Sequence, residues 1–329
     1  MKALKISDLQ GPESVSLTDA EPPNTVSQPI AHMGEPILVS VRAAGVSFPD
    51  VLQARGLYQF KPELPFIPGG EISGVVEDAP AESGLRVGDR VAAFSFTGGL
   101  AEQVLVPSQV TFKLHDSLSF TEGAALVINY HTAYFALVTR GRLAPGARVL
   151  VQGAAGGVGT ATIQVAKGLG AEVVAVVSND TKAAIAQQAG ADHVFRTTDN
   201  WREQTLGVMP DGVDIVIDPV GGDRIIDNLR VLREFGRFVV VGFADGEIPQ
   251  IPANRLLLKN IDAVGAVWGS YVMAHPEYAS EVAKKLDALI SSGHVRPIVG
   301  ASFHISEGSE AFRHVEDRKS LGKVVVEVQ

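Results

Sequence analysis

The chain has 329 residues, of which 46% are hydrophobic and 20% charged, a globular balance long enough for two domains or one large α/β unit. Its 28 basic and 37 acidic residues give a net charge of −9 with no Lys/Arg stripe, which argues against a nucleic-acid partner. It contains no cysteine, so disulfides, cysteine-ligated zinc, iron–sulfur clusters and a cysteine nucleophile are excluded.

The opening stretch MKALKISDLQGPES lacks the apolar core of a signal peptide, and no run of about eighteen apolar residues marks a membrane span. The cytosol is therefore the expected compartment. From Met1 to about Ser119 short β-branched runs (ILVSVRAAGV, EISGVVE, DRVAAF, AEQVLV) are broken by Gly and Pro, the pattern of a compact antiparallel β unit. Within it, GVSFP around Ser47 is the nearest approach to a serine-nucleophile elbow. It lacks the closing glycine and is expected to lack the strand-to-helix turn. The stretch FIPGGEISG (66–74) places one carboxylate, Glu71, in an apolar run, where it is catalytic, metal-directed or structural.

From about Phe120, buried apolar strands alternate with Ala-rich helical stretches. Strands are expected at 148–152, 171–177, 193–195, 214–220, 236–242 and 262–267, which predicts a parallel sheet with helices on both faces. RVLVQGAAGGVGTATIQV (148–165) reads as strand, glycine turn and helix. Such a turn lets backbone amides at Ala155, Gly156, Gly157 and Val158 approach a pyrophosphate at a helix N-terminus, although Ala154 replaces the first fingerprint glycine. The second strand ends at Val177 without the acid that holds a ribose 2′-hydroxyl. Ser178 and Lys182 could instead receive a 2′-phosphate, so NADPH is expected over NADH; Asp180 reads as the N-cap of the next helix. An amphipathic helix over roughly 277–292 and a final strand, GKVVVEV, predict a return to the first domain, leaving a cleft between the domains as the expected active site.

Eight segments in order, AAGVSFPDVLQARGLY, LPFIPGGEISGVV, GDRVAAF, NYHTAYFAL, QGAAGGVG, DPVGG, VGFADG and LGKVVVE, resemble the medium-chain dehydrogenase/reductase superfamily over essentially the whole chain. Within it they resemble the zinc-free NADPH:quinone oxidoreductase branch that includes zeta-crystallin. The resemblance implies a GroES-like β-rich catalytic domain (1–122), a Rossmann doubly wound NADP(H)-binding domain (123–266) and a return to the catalytic domain (267–329). Zinc-dependent relatives carry a ligand cysteine where Ser47 stands, often a histidine where Phe48 stands, and a ligand histidine where Gly70 stands. None is present here, so Glu71, beside Gly70, reads as a retained structural acid satisfied by backbone amides or a basic partner. The eight histidines include no pair three to five residues apart, so no metal is expected.

A quinone or a carbonyl-conjugated alkene can carry added charge on its own π system, so the protein needs to hold the acceptor and donate hydrogen bonds to its oxygen. Ser47, Tyr58 and Asn129 are the candidates; Ser47 replaces an asparagine common in relatives. The resemblance implies that Thr132, Phe243, Ala244, Val267 and Trp268 neighbour the nicotinamide and that Lys323 reaches the pyrophosphate. Asp50 occupies a widely shared acid position, either functional or bonding nearby backbone. The expected activity is NADPH-dependent quinone reduction. Reduction of enones or enoyl thioesters, and a noncatalytic NADPH-binding structural or sensor role, remain open. A homodimer through the edge strand at 262–267 is also implied.

Overall fold

The computed structural model describes residues 1–329 and divides into two compact units. Unit one comprises Met1–Ile128, Ser270–Asp287 and Pro297–Gln329; unit two comprises Asn129–Gly269 and Ala288–Arg296. Along the chain, unit one forms β1 (Lys2–Ile6), β2 (Val15–Asp19), β3 (Pro36–Val46), β4 (Glu71–Asp78), β5 (Arg90–Phe94), β6 (Gln103–Pro107) and β7 (Thr111–Lys113). Unit two follows with β8 (Arg148–Gln152), β9 (Glu172–Val177), β10 (His193–Arg196), β11 (Val213–Asp218), β12 (Leu232–Val240) and β13 (Asp262–Gly265). The chain then returns with β14 (Val299–His304) and β15 (Lys323–Glu327).

In unit one the sheet order is β14-β15-β3-β4-β5-β7. The eleven-residue β3 is its spine. One edge pairs with β4 along its length, and the other is shared by β6 at Pro36–Ser40 and β15 at Ala43–Val46. Alternate β-branched residues of these strands, among them Val39, Val41, Ile72, Val91, Val104 and Val324, point into one core, as a period-two pattern on a half-buried sheet requires. Pairing is antiparallel except between β14 and β15, which are parallel. They are parallel because the helix Gly308–Glu316 lies between the two strands and carries the chain back to the same end of the sheet.

Unit two is a six-stranded, all-parallel sheet in the order β10-β9-β8-β11-β12-β13, the 3-2-1-4-5-6 sequence of a dinucleotide-binding fold. Its central strands are buried runs (Leu150, Val174, Val216 and Phe238 all 0% exposed), which is what helices on both faces demand. The helix after β9 spans Asp180–Gln188 and is capped by Asn179, whose side chain accepts from the Lys182 N–H at 2.9 Å. The cap is therefore one residue earlier than the expected Asp180; either side chain suits the role, and the end of β9 decides which is in place. No helix is long and apolar enough to cross a membrane.

Candidate active site

Register on the β3 spine assembles a polar cluster in unit one. Gly45 pairs with Glu71 of β4 on one side and with Val325 of β15 on the other, and Val46 pairs with Val324. One step further, Ser47 lies beside Lys323. The Lys323 ammonium donates to a Glu71 carboxylate oxygen and to Ser47 Oγ, with the lysine 3% and the glutamate 0% exposed. The second Glu71 oxygen accepts the Ile128 N–H at 2.8 Å. Glu71 thus has both oxygens engaged by a cation and a backbone amide, as a buried charge requires. A Cβ on Gly45 would lie 2.6 Å from Lys323 Cε, 2.9 Å from Glu71 Cγ and 2.4 Å from the Ala124 carbonyl oxygen, so this close approach needs glycine.

Ser47 leads directly from β3 into the helix Phe48–Ala54. The expected lack of a strand-to-helix turn is therefore overturned: Pro49 lies in the first helical turn, where its missing N–H costs no hydrogen bond. Asp50, three residues into the turn, accepts the Ser47 N–H at 2.7 Å and the Gly69 N–H at 3.2 Å. Of its two readings, bonding to nearby backbone is what the geometry holds. Burial raises its carboxyl pKa to about 6, against the lowering influence of the Ser47 amide and Lys323. Tyr58, half-buried after the same helix, has its phenol pKa raised by burial and by the charge of Asp50, which keeps it a protonated donor at neutral pH.

Gly70 is buried, and a Cβ there would meet Ile128 Cδ1 at 3.1 Å and the Phe96 carbonyl oxygen at 3.7 Å. An aliphatic side chain thus occupies the approach to the position at which the resemblance places a ligand imidazole in zinc-dependent relatives. No group of three or more His, Asp or Glu side chains could hold a metal ion.

In unit two the glycine turn lies between β8 and the twelve-residue helix Gly157–Gly168, with Gly156 as N-cap. Gly159 is required by packing, since a Cβ would lie 2.4 Å from the Gly153 carbonyl oxygen and 2.7 Å from Ala154 Cα. At Gly156 a Cβ would meet only the Gly153 carbonyl oxygen, at 3.5 Å, so no crowding within the chain demands glycine there. A bare backbone at a helix N-terminus, unexplained by packing, fits an incoming pyrophosphate. Ala155 is buried, whereas Gly156, Gly157 and Val158 are partly exposed.

Asn129 is 5% exposed, and its Nδ2 lies 2.5 Å from where a Gly157 Cβ would be, so it packs on the turn. Thr132 is half-buried on the helix Val127–Tyr134, which runs into a π-helical segment, Phe135–Arg140. The neighbouring His131 is driven down to a pKa of about 3 by burial, and its ring lies 5.2 Å from that of Trp268. It is neutral at physiological pH. Ser178 is exposed and Lys182 half-buried beyond β9; Phe243 and Ala244 follow β12; Val267 is 52% exposed and Trp268 only 2%.

The segment DPVGG carries a structural role that its sequence alone did not reveal. Asp218 in it accepts the N–H groups of Val220 (2.8 Å) and Gly221 (3.1 Å), and also Asn228 Nδ2 (3.1 Å), while Asn228 Oδ1 accepts from Gln152 at 2.7 Å. This buried chain ties the loop after β11 to the end of β8. The signal was the acid at a strand end followed by two glycines, both of which adopt positive φ.

Family models match two stretches: an alcohol dehydrogenase GroES-like domain over residues 34–116 and a zinc-binding dehydrogenase domain over 157–288. A quinone oxidoreductase-like protein 2 homolog from Nematostella vectensis is 41% identical over 299 residues, covering 88% of this chain and 81% of that protein. The crystal structure of a probable oxidoreductase from Mycobacterium abscessus superimposes with a TM-score of 0.89 at 40% identity, over 100% of this chain and 99% of that one. The quinone oxidoreductase of Thermus thermophilus, for which a complex with NADPH is known, gives 0.82 at 34% identity over the full length of both chains. Unit one therefore contains the GroES-like β domain and unit two is the Rossmann domain, and the chain belongs to the medium-chain dehydrogenase/reductase superfamily, in its zinc-free quinone oxidoreductase branch.

Proposed function

We propose that the chain is an NADPH-dependent oxidoreductase that reduces quinones without a metal. The observation that carries the reading is the composition of the Ser47–Gly70 neighbourhood. Hydrogen-bond donors and an aliphatic side chain occupy it, and no ligand set is available there to polarise a hard carbonyl or alcohol. An acceptor that delocalises its own charge matches those resources. The NADPH complex of the Thermus relative and the uncrowded approach to Gly156 support the cofactor assignment.

When bound, NADPH supplies the hydride. The amides of Ala155–Val158 would hold its pyrophosphate, and Ser178 and Lys182 its 2′-phosphate. Thr132, Phe243, Ala244 and Val267 would orient and wall the nicotinamide, while Trp268, only 2% exposed, packs against the His131 ring instead of facing a ligand. Ser47 and the protonated Tyr58 would donate to the acceptor oxygen that gains charge, and Asn129, packed on the turn, would keep Gly157 in place. The Lys323 ammonium donates to Ser47, so it cannot take the serine proton, and a Ser–Lys nucleophile is not supported.

The test is turnover: purified protein with NADPH should oxidise it in the presence of soluble quinones. An enone or enoyl thioester turned over with a much higher kcat/KM would move the assignment to alkene reduction, and tight NADPH binding with neither turnover would leave a noncatalytic role. The edge strand β13 and the exposed Leu257 and Leu258 of the preceding helix support a homodimer, which light scattering would detect as twice the chain mass of 34.7 kDa.

A further inference from the structure

We propose that Lys323 is a positioning residue whose ammonium, clamped by Glu71, donates to Ser47 Oγ and so commits the serine's own proton to the acceptor oxygen. The proposal deepens the reading of Ser47 as an acceptor-facing donor and rests on it. Three observations carry it. Lys323 and Glu71 are buried while Ser47 is half-buried, so of the three only the serine can meet a ligand. The Ser47 N–H is held by Asp50 and its hydroxyl oxygen accepts from Lys323, which leaves the hydroxyl proton as the group it can offer a ligand. Gly45 removes the one Cβ that would prevent Lys323 and Glu71 from meeting beneath the strand end.

A hydroxyl has one proton to give and two lone pairs to receive. Once an ammonium occupies a lone pair, the proton must point elsewhere, and a charge-assisted bond polarises the hydroxyl into a stronger donor. No proton leaves the serine in this scheme; it donates a hydrogen bond to the oxygen that gains charge as hydride arrives from NADPH, and the resulting hydroquinone anion takes its proton from solvent water. The charged groups around Ser47 are Lys323 on β15, Glu71 on β4 and Asp50 on the following helix, with Tyr58 also sensing Asp50. Lys323 is the cation among them. The competing role, contact with the cofactor pyrophosphate, would require Nζ to leave both present partners.

The chain has no cysteine, so Ser47→Cys creates a single thiol at the position in question. Its alkylation by iodoacetamide is followed against pH, with and without Lys323→Met. The expected result is that losing the lysine slows alkylation at pH 7 by about tenfold, one pKa unit, because the thiolate loses its cation. In the serine background, Lys323→Met should lower kcat with quinone and leave the KM for NADPH unchanged. If the single substitution does not fold, Lys323→Met with Glu71→Gln, which leaves no charge unpaired between them, takes its place. Identical thiol titrations with and without the lysine would overturn the proposal, as would a rise in the NADPH KM with kcat intact. Absence of any turnover in the unaltered protein would remove the functional reading instead, and the thiol titration would still decide whether Lys323 acts on position 47.

Discussion

Replacing Glu71 by Gln should be among the most damaging single-atom changes available in unit one. The substitution keeps the shape of the side chain but leaves the Lys323 ammonium, 3% exposed, beside a neutral amide. Removing one partner of a buried ion pair costs about 3–5 kcal/mol, which at roughly 2–4 °C per kcal/mol for a domain of ~150–250 residues lowers the melting temperature by about 6–20 °C. The pair itself carries much less net stability, because both charges were desolvated to form it. Glu71→Gln combined with Lys323→Met should therefore recover most of the loss, leaving the double variant within about 2 kcal/mol of the parent. Urea unfolding of the parent, both single variants and the double variant measures the coupling. Equal losses that simply add in the double variant, or a Glu71→Gln cost below about 1 kcal/mol, would refute the claim that a buried pair organises this site.

Asp50 should make stability depend on pH in an unusual direction for a carboxylate. Its pKa is raised from 3.8 to about 6, so its contribution is fully present below pH 4 and lost as pH rises through 6. Relative to Asp50→Asn, the parent should lose up to about 3 kcal/mol between pH 4 and 7 in urea titrations, and a constant difference would contradict the shift. Gly156→Ala should leave the melting temperature nearly unchanged while weakening NADPH at least tenfold by fluorescence titration, because its Cβ meets nothing closer than 3.5 Å in the chain. Gly159→Ala, which drives a Cβ to 2.4 Å from the Gly153 carbonyl oxygen, should also destabilise the fold, by about 1–3 kcal/mol. Unaltered NADPH affinity in Gly156→Ala would count against the turn as the phosphate site. Lys182→Ala should weaken NADPH about tenfold or more and spare NADH, the loss of one charge-assisted bond; equal weakening of both would refute the 2′-phosphate contact.

Period-two runs, buried strands and the glycine turn made both units legible in the sequence, because each signal lies within one element and its neighbours. The polar cluster was not legible in this way. Glu71 could be recognised as an acid needing a partner, but the partner lies 252 residues away and Ser47 lies 276 residues from Lys323, joined only by the register of β15 on β3. The parallel pairing of β14 with β15 was hidden for the same reason: a short helix between two strands does not announce which sheet they join. Ala288–Arg296, the end of the amphipathic helix and its continuation, belongs with unit two, and an amphipathic pattern fixes which face of a helix is buried without naming the surface that covers it. Around Ser47 the strand-to-helix turn was missed, because the helix Phe48–Ala54 is only seven residues long and too short to show a helical period. The cap at Asn179 differs from the expected one by a single residue, the scale at which helix ends are set by local hydrogen bonding rather than by pattern.

Metal-free quinone reduction is tested most directly by steady-state oxidation of NADPH with the purified, metal-chelated protein across a panel of quinones, enones, enoyl thioesters and simple aldehydes. Rapid loss of reduced-nicotinamide absorbance is expected with quinones, unaffected by chelator, and none with simple aldehydes. Turnover that requires added zinc, or that proceeds with aldehydes and not with quinones, would contradict it.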